Sequence, residues 1–338
     1  MKEAMFYEKL EGGDVRCGLC NHFCRIKPKK RGICGVRENE DGTLVTLVYG
    51  KLIAMHVDPI EKKPLFHFIP GHLSYSIATV GCNFRCLHCQ NADISQMPRE
   101  RGIIAGEEVK PERVVAEALA AGCQSVAFTY TEPTIFFEYA YDTARLAHRE
   151  GILNTFVTNG YITPEAVKTI NGYLDAATVD FKGSGNPEFY RHFCGTIDVG
   201  PIYEALLSMK EQGIFIEITN LIVPGAGDSA DAFSKLVRWV IENLGDEVPF
   251  HILRFFSSYR YTGPDDLSMG RLVELWKQAR GAGMRHVYLG NVLDGRYSNT
   301  ICPQCGKVVI DRVGMGVSSM HLNGNRCEFC GKRLNLVV

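Results

Sequence analysis

The sequence predicts an α/β fold: a parallel sheet in a barrel-sized domain, with small cysteine-rich, metal-binding modules at both ends. Two observations carry this expectation. Between about residues 74 and 290, seven short apolar runs alternate with helical stretches, the imprint of strand–helix–strand units. Eleven of the thirteen cysteines fall into tight clusters of four, three and four. In a reducing compartment, cysteines at two- and three-residue spacing read as thiolate ligands of a metal or an iron–sulfur centre rather than as disulfides. A chain of 338 residues has room for one such domain and small appendages.

Residues 1–70 make the first unit, a four-cysteine module with several Gly turns and one expected strand pair, 44–48 against 51–55 around Tyr49 and Gly50. The apolar runs 75–80, 125–129, 154–158, 176–181, 214–218, 250–255 and 286–289 then supply the strands of a domain spanning 71–296. Helices are expected over 111–121, which has Pro111 in its first turn, 134–150 and 230–244. Such a sheet is either doubly wound or curled into a full or partial (β/α) barrel, and periodicity does not choose between them. In either case ligands gather at the carboxyl ends of the strands, so residues just after each run are where chemistry belongs. Residues 297–338 read as a separate metal-stapled module, too short for an unaided core.

Lys and Arg total 37 against 38 Asp and Glu, so no net field favours nucleic acid or an anionic membrane. No signal peptide and no stretch of membrane-spanning length is apparent. The expectation is a soluble, cytoplasmic protein with neither a membrane nor a nucleic-acid partner.

The central cysteines follow the first run: Gly81-Cys82-Asn83-Phe84-Arg85-Cys86-Leu87-His88-Cys89-Gln90-Asn91, a C-x3-C-x2-C spacing. Three thiolates hold three corners of a 4Fe-4S cluster and leave one iron open to a non-protein ligand, whereas electron-transfer clusters are usually held by four. A zinc site is the alternative, but zinc wants four ligands and His88 is badly spaced to be the fourth. These residues resemble the signature of the radical S-adenosylmethionine (SAM) superfamily, in which His88 fills the usual aromatic place before the last cysteine. The resemblance implies a TIM-like barrel of the radical SAM type. It also implies SAM on the open iron, reductive cleavage to a 5′-deoxyadenosyl radical, and removal of hydrogen from a substrate. Later strand ends extend the likeness, to the activating enzymes of glycyl-radical enzymes such as pyruvate formate-lyase. Thr131 and Glu132 match the loop that receives the methionine amino group. Thr158, Asn159, Asp180 and Lys182 match segments facing the methionine end or a nearby cation, and Asn91 matches an Asn after the cysteines. One departure is Val157, where the activases carry an Asp. Read as residues alone, these Thr, Asn and Asp positions are equally good turns and caps.

Cys17, Cys20, Cys24 and Cys34 offer four thiolates within eighteen residues, a closed zinc site or a second cluster. His22 is a bystander or a substitute ligand. Cys302, Cys305, Cys327 and Cys330 form two C-x2-C-G knuckles that resemble zinc ribbons and rubredoxins, with zinc or iron as the metal. Cys123 and Cys194 stand alone and read as buried small residues, Cys194 also lying near a possible substrate. The run 58–68 reads as a linker with Phe66 and Phe68 packed inward, or as a lid offering Lys62, Lys63 or His67 to substrate.

The whole layout is similar to the radical enzymes of the AmmeMemoRadiSam system. This resemblance implies an oxygen-labile, oxidoreductase-type enzyme working anaerobically, with a low-potential donor of ferredoxin or flavodoxin type and Memo-like and AMMECR-type partners. The alternatives are a true glycyl-radical activase and a non-catalytic metal or nucleic-acid binding protein.

Overall fold

The computed structural model describes residues 1–261, 263–264 and 266–338. Its centre is an eight-stranded sheet: β1 (Ala54–Pro59), β2 (Leu73–Ala78), β3 (Ser125–Phe128), β4 (Leu153–Thr158), β5 (Ala176–Lys182), β6 (Phe215–Ile222), β7 (Phe250–Arg254) and β8 (Val287–Gly290). Strands neighbour one another in chain order from β1 to β8. All pairs are parallel except β1 with β2. An order that never reverses has no topological switch point, which excludes the doubly wound alternative. Right-handed crossovers in such an order lay their helices on one face and leave the other to curl inward. Among the described residues the outer strands β1 and β8 do not pair, so the sheet is open at that seam.

Helices fill the crossovers: α1 (Pro111–Ala120), α2 (Phe137–Arg149), α3 (Pro164–Ile170), α4 (Gly200–Glu211), α5 (Ala230–Asn243) and α6 (Met269–Gly281). Their starts follow elementary rules. Pro stands in the first turn of α1 and α3, while the hydroxyls of Ser229 and Ser268 accept from amides in the first turns of α5 and α6. The helix expected over 134–150 begins instead with a 3-10 turn, Pro133–Phe136, because Glu132 caps it by accepting from the Thr134 amide at 3.0 Å.

The expected strand pair around Tyr49 and Gly50 does not form. A turn is present, with the Lys51 amide donating to the Val48 carbonyl at 3.0 Å, but its two arms part. Thr43–Thr46 pairs with Arg37–Glu40 and Lys2–Glu3, Lys51–Leu52 pairs with Glu107–Glu108, and β1 joins the main sheet. Tyr49 holds the arms apart, its hydroxyl on Asp142 at 2.6 Å and its ring edge-on to Tyr139. The sheet therefore begins at Ala54, ahead of residue 71.

The run 58–68 is no lid. His67 is buried towards the amino ends of the strands, its amide on Glu217 (2.7 Å) and its ring nitrogens on the Asn335 carbonyl (2.7 Å) and the Tyr288 hydroxyl (2.6 Å). Lys63 is buried against Asp58 at 2.7 Å, and only Lys62 is exposed. The C-terminal module docks on this segment. Arg312 lies 4.2 Å over the Phe66 ring, donates to the Phe66 carbonyl and faces Glu61 at 3.6 Å. The module's small core is Cys302, Val309, Ile310, Cys327, Leu334 and Leu336.

Candidate active site

Cys82, Cys86 and Cys89 lie on the loop that leaves the carboxyl end of β2. Gly81 opens this loop at φ +102°, where a Cβ would sit 2.6 Å from Val36 Cγ1 and 3.2 Å from the Cys34 carbonyl oxygen, so only glycine fits. Cys82 and Cys86 are buried and Cys89 is half-buried. The Phe84 amide donates to Cys82 Sγ at 3.3 Å, and the Ser95 hydroxyl lies 3.2 Å from Cys89 Sγ. Arg99 ties the loop from outside, donating to the Cys82 and Phe84 carbonyls at 2.8 and 3.1 Å. His88 is buried near the Phe189 and Phe255 rings, and burial lowers it to about 3, so it is neutral.

The next strand ends converge on the loop. Glu132, fully buried after β3, accepts from the Thr134 amide and hydroxyl and the Thr158 hydroxyl through Oε1, and from the Asn159 amide at 2.8 Å through Oε2. Burial pushes this carboxyl up against those donors. Asn159 reaches the cysteine loop, Nδ2 donating to Asn83 Oδ1 at 2.7 Å with Cys82 Sγ at 3.9 Å. At the end of β5, Lys182 pairs with Asp180 at 2.8 Å, and Asp180 also accepts from Thr219. Burial opposes the Lys182 charge, but Asp180 and the Cys86 sulfur outweigh it and raise the amine well above its usual range. Thr131 and Asn91 tie the loops: Thr131 donates to the Thr79 carbonyl at 2.8 Å, and Asn91 to the Tyr130 carbonyl at 3.2 Å.

The cysteine groups differ in their spacing. Among the described residues, the sets of three or more His, Cys, Asp or Glu ligand atoms within 4.8 Å of one another are Cys302–Cys305–Cys327–Cys330 and Cys86–His88–Cys194. In the C-terminal set, Cys302 and Cys330 sulfurs are 3.6 Å apart, and Cys305 and Cys327 sulfurs 3.7 Å. A tetrahedron around one zinc, with Zn–S bonds of about 2.3 Å, has edges of about 3.8 Å, so these four thiols fit a single ion. The Lys307 amide draws the Cys305 thiol down to about 7. The central three and the N-terminal four are more widely spread.

Cys194 is buried, as the sequence reading has it, and the structure adds its neighbour Cys86. It is fully buried on the turn Tyr190–Cys194, and the Phe193 and Cys194 carbonyls accept from the Leu87 and Arg85 amides, each at 2.8 Å. Its hydrogen bond, then burial, push the Cys86 thiol well up. No spacing signal links Cys194 to Cys86, since the backbone hydrogen bonds that join their segments span more than a hundred residues. Asn83 and Arg99 carry no spacing signal either: Asn83 meets Asn159 from 76 residues away, and Arg99 reaches back 17 and 15 residues to backbone carbonyls of Cys82 and Phe84.

The central donor set fits an iron–sulfur cluster with one open corner. Three thiols come from a single loop, and the buried Asn83 Nδ2 and Arg99 Nε beside them are without a protein partner among the described residues, as donors awaiting anionic sulfur would be.

An open parallel sheet in unreversed order, with a three-cysteine loop after its first parallel strand, defines a class that comparison identifies. Residues 76–240 match the Radical SAM superfamily, and the chain belongs to it. It is similar to an uncharacterised protein of Methanocaldococcus jannaschii, 41% identical over 341 residues and 100% of both chains. A second uncharacterised protein of that organism is 26% identical over 250 residues, 72% of this chain and 67% of that one. Among solved structures, a radical SAM methyltransferase from Sphaerobacter thermophilus aligns with TM-score 0.50 and 14% identity over 66% of this chain and 67% of that chain. SuiB of Streptococcus suis, bound to S-adenosylmethionine, aligns with TM-score 0.51 and 16% identity over 69% of this chain and 53% of that chain. At those identities the likeness is one of fold. No helix among the described residues is long and apolar enough to cross a membrane.

Proposed function

We propose that this chain is a radical enzyme that holds a 4Fe-4S cluster on Cys82, Cys86 and Cys89, binds S-adenosylmethionine at the open iron, and takes a hydrogen atom from a substrate. The observation that carries this reading is the number and setting of the central thiols. Three of them leave β2 on one loop, and Glu132, Thr158, Asn159, Asp180 and Lys182 meet that loop from the next three strand ends. When bound, the cluster and SAM supply a carbon-centred radical by one-electron cleavage of a carbon–sulfur bond.

The residues of the chain bind, orient and exclude water. Glu132 Oε2 accepts one protein donor and keeps a lone pair for an ammonium, the role the superfamily resemblance gives it. Lys182, protonated and half-buried beside Cys86, is matched to a carboxylate, and Asp180 holds it in place. Neutral His88 packs near Phe189 and Phe255 on the cysteine loop, and those two phenyl rings keep water from the reacting centre.

The run 61–68 and the three cysteine groups favour the AmmeMemoRadiSam radical enzymes within the superfamily, working with a low-potential ferredoxin- or flavodoxin-type donor and with Memo-like and AMMECR-type partners. Anaerobically reconstituted protein, reduced with S-adenosylmethionine present, is expected to release 5′-deoxyadenosine. Alanine at Cys82, Cys86 or Cys89 is expected to abolish that release, while alanine at the remote Cys123 retains it. Release that survives loss of a central cysteine would refute the assignment.

A further inference from the structure

The four N-terminal cysteines line one small pocket, together with Leu19, His22, Ile26, Ile33 and Arg37. Cys17 and Cys34 are buried, and Cys20 and Cys24 half-buried. Four thiols of this kind take either one ion or a cluster, and sulfur spacing tells the two apart. The C-terminal four stand within single-ion distance, with edges of 3.6 and 3.7 Å. In the N-terminal group, whose four cysteines are all described, no three of the sulfurs share a 4.8 Å neighbourhood. The same is true of Cys82, Cys86 and Cys89. By spacing, the N-terminal group belongs with the central cluster site rather than with the tetrahedral one.

A second observation points to an anionic sulfur-rich occupant. Arg37 is 2% exposed and lines the pocket. Glu138 at 2.8 Å and the Met5 carbonyl at 2.5 Å both engage its Nη2, while Nε and Nη1 are buried without a partner among the described residues. Buried guanidinium N–H groups left open are costly unless something accepts from them. Thiolate and bridging sulfide sulfurs are such acceptors, and hydrogen bonds to them tune a cluster's potential.

The pocket also abuts the central loop. The Cys34 carbonyl lies 3.2 Å from where a Gly81 Cβ would stand, and a Cβ on Gly35 would meet Pro98 Cβ at 3.0 Å and the Arg99 amide at 3.3 Å. His22 Nε2 donates to the Asn83 carbonyl at 2.8 Å, which turns this histidine toward the central loop.

We propose that Cys17, Cys20, Cys24 and Cys34 hold a second 4Fe-4S cluster, closed by four cysteines and packed against the central one. The inference does not need the central site to be active. Acid-labile sulfide is the deciding readout, because neither zinc nor a mononuclear iron at Cys302, Cys305, Cys327 and Cys330 contributes any. After anaerobic reconstitution with iron and sulfide, the full-length chain is expected to hold about eight sulfides, four for each 4Fe-4S cluster. The C82A/C86A/C89A variant is expected to keep about four, and Cys20→Ser with Cys24→Ser is expected to fall from about eight to about four. Sulfide-free C82A/C86A/C89A protein, with about four sulfides in the parent chain and in the C20S/C24S variant, would overturn the second cluster and leave the central one standing. Undiminished sulfide at about four in C82A/C86A/C89A, with about four in the parent, would instead overturn the central assignment and support this one.

Discussion

Glu132 receives four protein hydrogen bonds on two oxygens, three of them on Oε1. It thereby fixes Thr134, Thr158 and Asn159 against one another, and Asn159 in turn holds Asn83 beside Cys82. In Glu132→Gln, one oxygen becomes an NH2 that cannot accept, so either the hub loses an acceptor or the ligand side does. A charge-assisted hydrogen bond contributes about 1.5–3 kcal/mol, so the variant is expected to lower the rate of SAM cleavage about 10- to 150-fold, read as 5′-deoxyadenosine release. An unchanged rate would remove Glu132 from the site. Cys194 raises a different question, because a thiol beside Cys86 invites comparison with a fourth ligand. Its sulfur lies within 4.8 Å of Cys86 and His88 ligand atoms, but it comes from a different segment than the loop that carries the three central thiols. Cys194→Ser, which keeps a hydroxyl donor, is therefore expected to retain the central cluster and its sulfide content. Loss of that sulfide would make Cys194 a ligand. The residues legible from the sequence were those whose meaning lies in their position at a strand end: the three cysteines, Glu132, Thr158, Asn159, Asp180 and Lys182. The contacts of Asn83 with Asn159 and of Cys194 with Cys86 were not legible because the partners lie on distant segments, and Arg99 was not because backbone carbonyls, which leave no residue-type signature, accept from it.

At the scale of elements, the loops after the strands depend on backbone that tolerates little change. Gly160 in the Thr-Asn-Gly turn has φ +72°, and a Cβ there would meet Val179 Cγ1 at 2.8 Å and Ile202 Cγ2 at 3.0 Å. Gly160→Ala combines left-handed strain with overpacking and is expected to cost about 2–5 kcal/mol, seen as a lowered Tm. Gly172→Ala, at φ +82° with nothing within 4 Å of its Cβ, carries the left-handed strain alone and is expected to cost about 1–2 kcal/mol. Equal losses at the two positions would show that the fit against Val179 and Ile202 is immaterial. The seven apolar runs all became parallel-sheet strands, since a strand buried on both faces is apolar throughout and leaves a local mark. Pairing partners leave no such mark. The arms around Tyr49 and Gly50 have strand character, but Tyr49 is drawn to Asp142 and Tyr139, and those residues lie some ninety positions away.

At the scale of the whole molecule, the C-terminal module, the run 58–68 and the amino ends of the strands close on one another around buried histidines. His286 lies 4.4 Å from His67 between ring centroids, and burial first, then Arg280 and Arg285, lower it to about 4. The unfolded chain binds a proton near pH 6.5 that the folded chain refuses until about pH 4. Stability contributed by neutral His286 is thus complete above pH 6.5 and declines as pH falls through that window, by on the order of 3 kcal/mol. Replacing His286 with Phe is expected to flatten this part of the stability–pH curve in denaturant titrations. An unchanged slope would place the acid sensitivity elsewhere. Composition predicted a separate module at each end; the C-terminal one has a small core of its own, whereas N-terminal residues such as Val15, Leu19 and Val36 share the main core. The docking of Arg312 on Phe66 and Glu61, and the burial of His67, were not legible because each unites segments more than two hundred residues apart.

The account turns on a cluster iron that the polypeptide does not cap, and electron–nuclear double resonance on the reduced protein reads that corner directly. With S-adenosylmethionine carrying ¹⁵N in its amino group and ¹⁷O in its carboxylate, both nuclei are expected to couple to the cluster held by Cys82, Cys86 and Cys89. The couplings should vanish in the C82A/C86A/C89A variant. A central cluster that shows no coupling to either nucleus, with the labelled compound present in excess, would contradict the account.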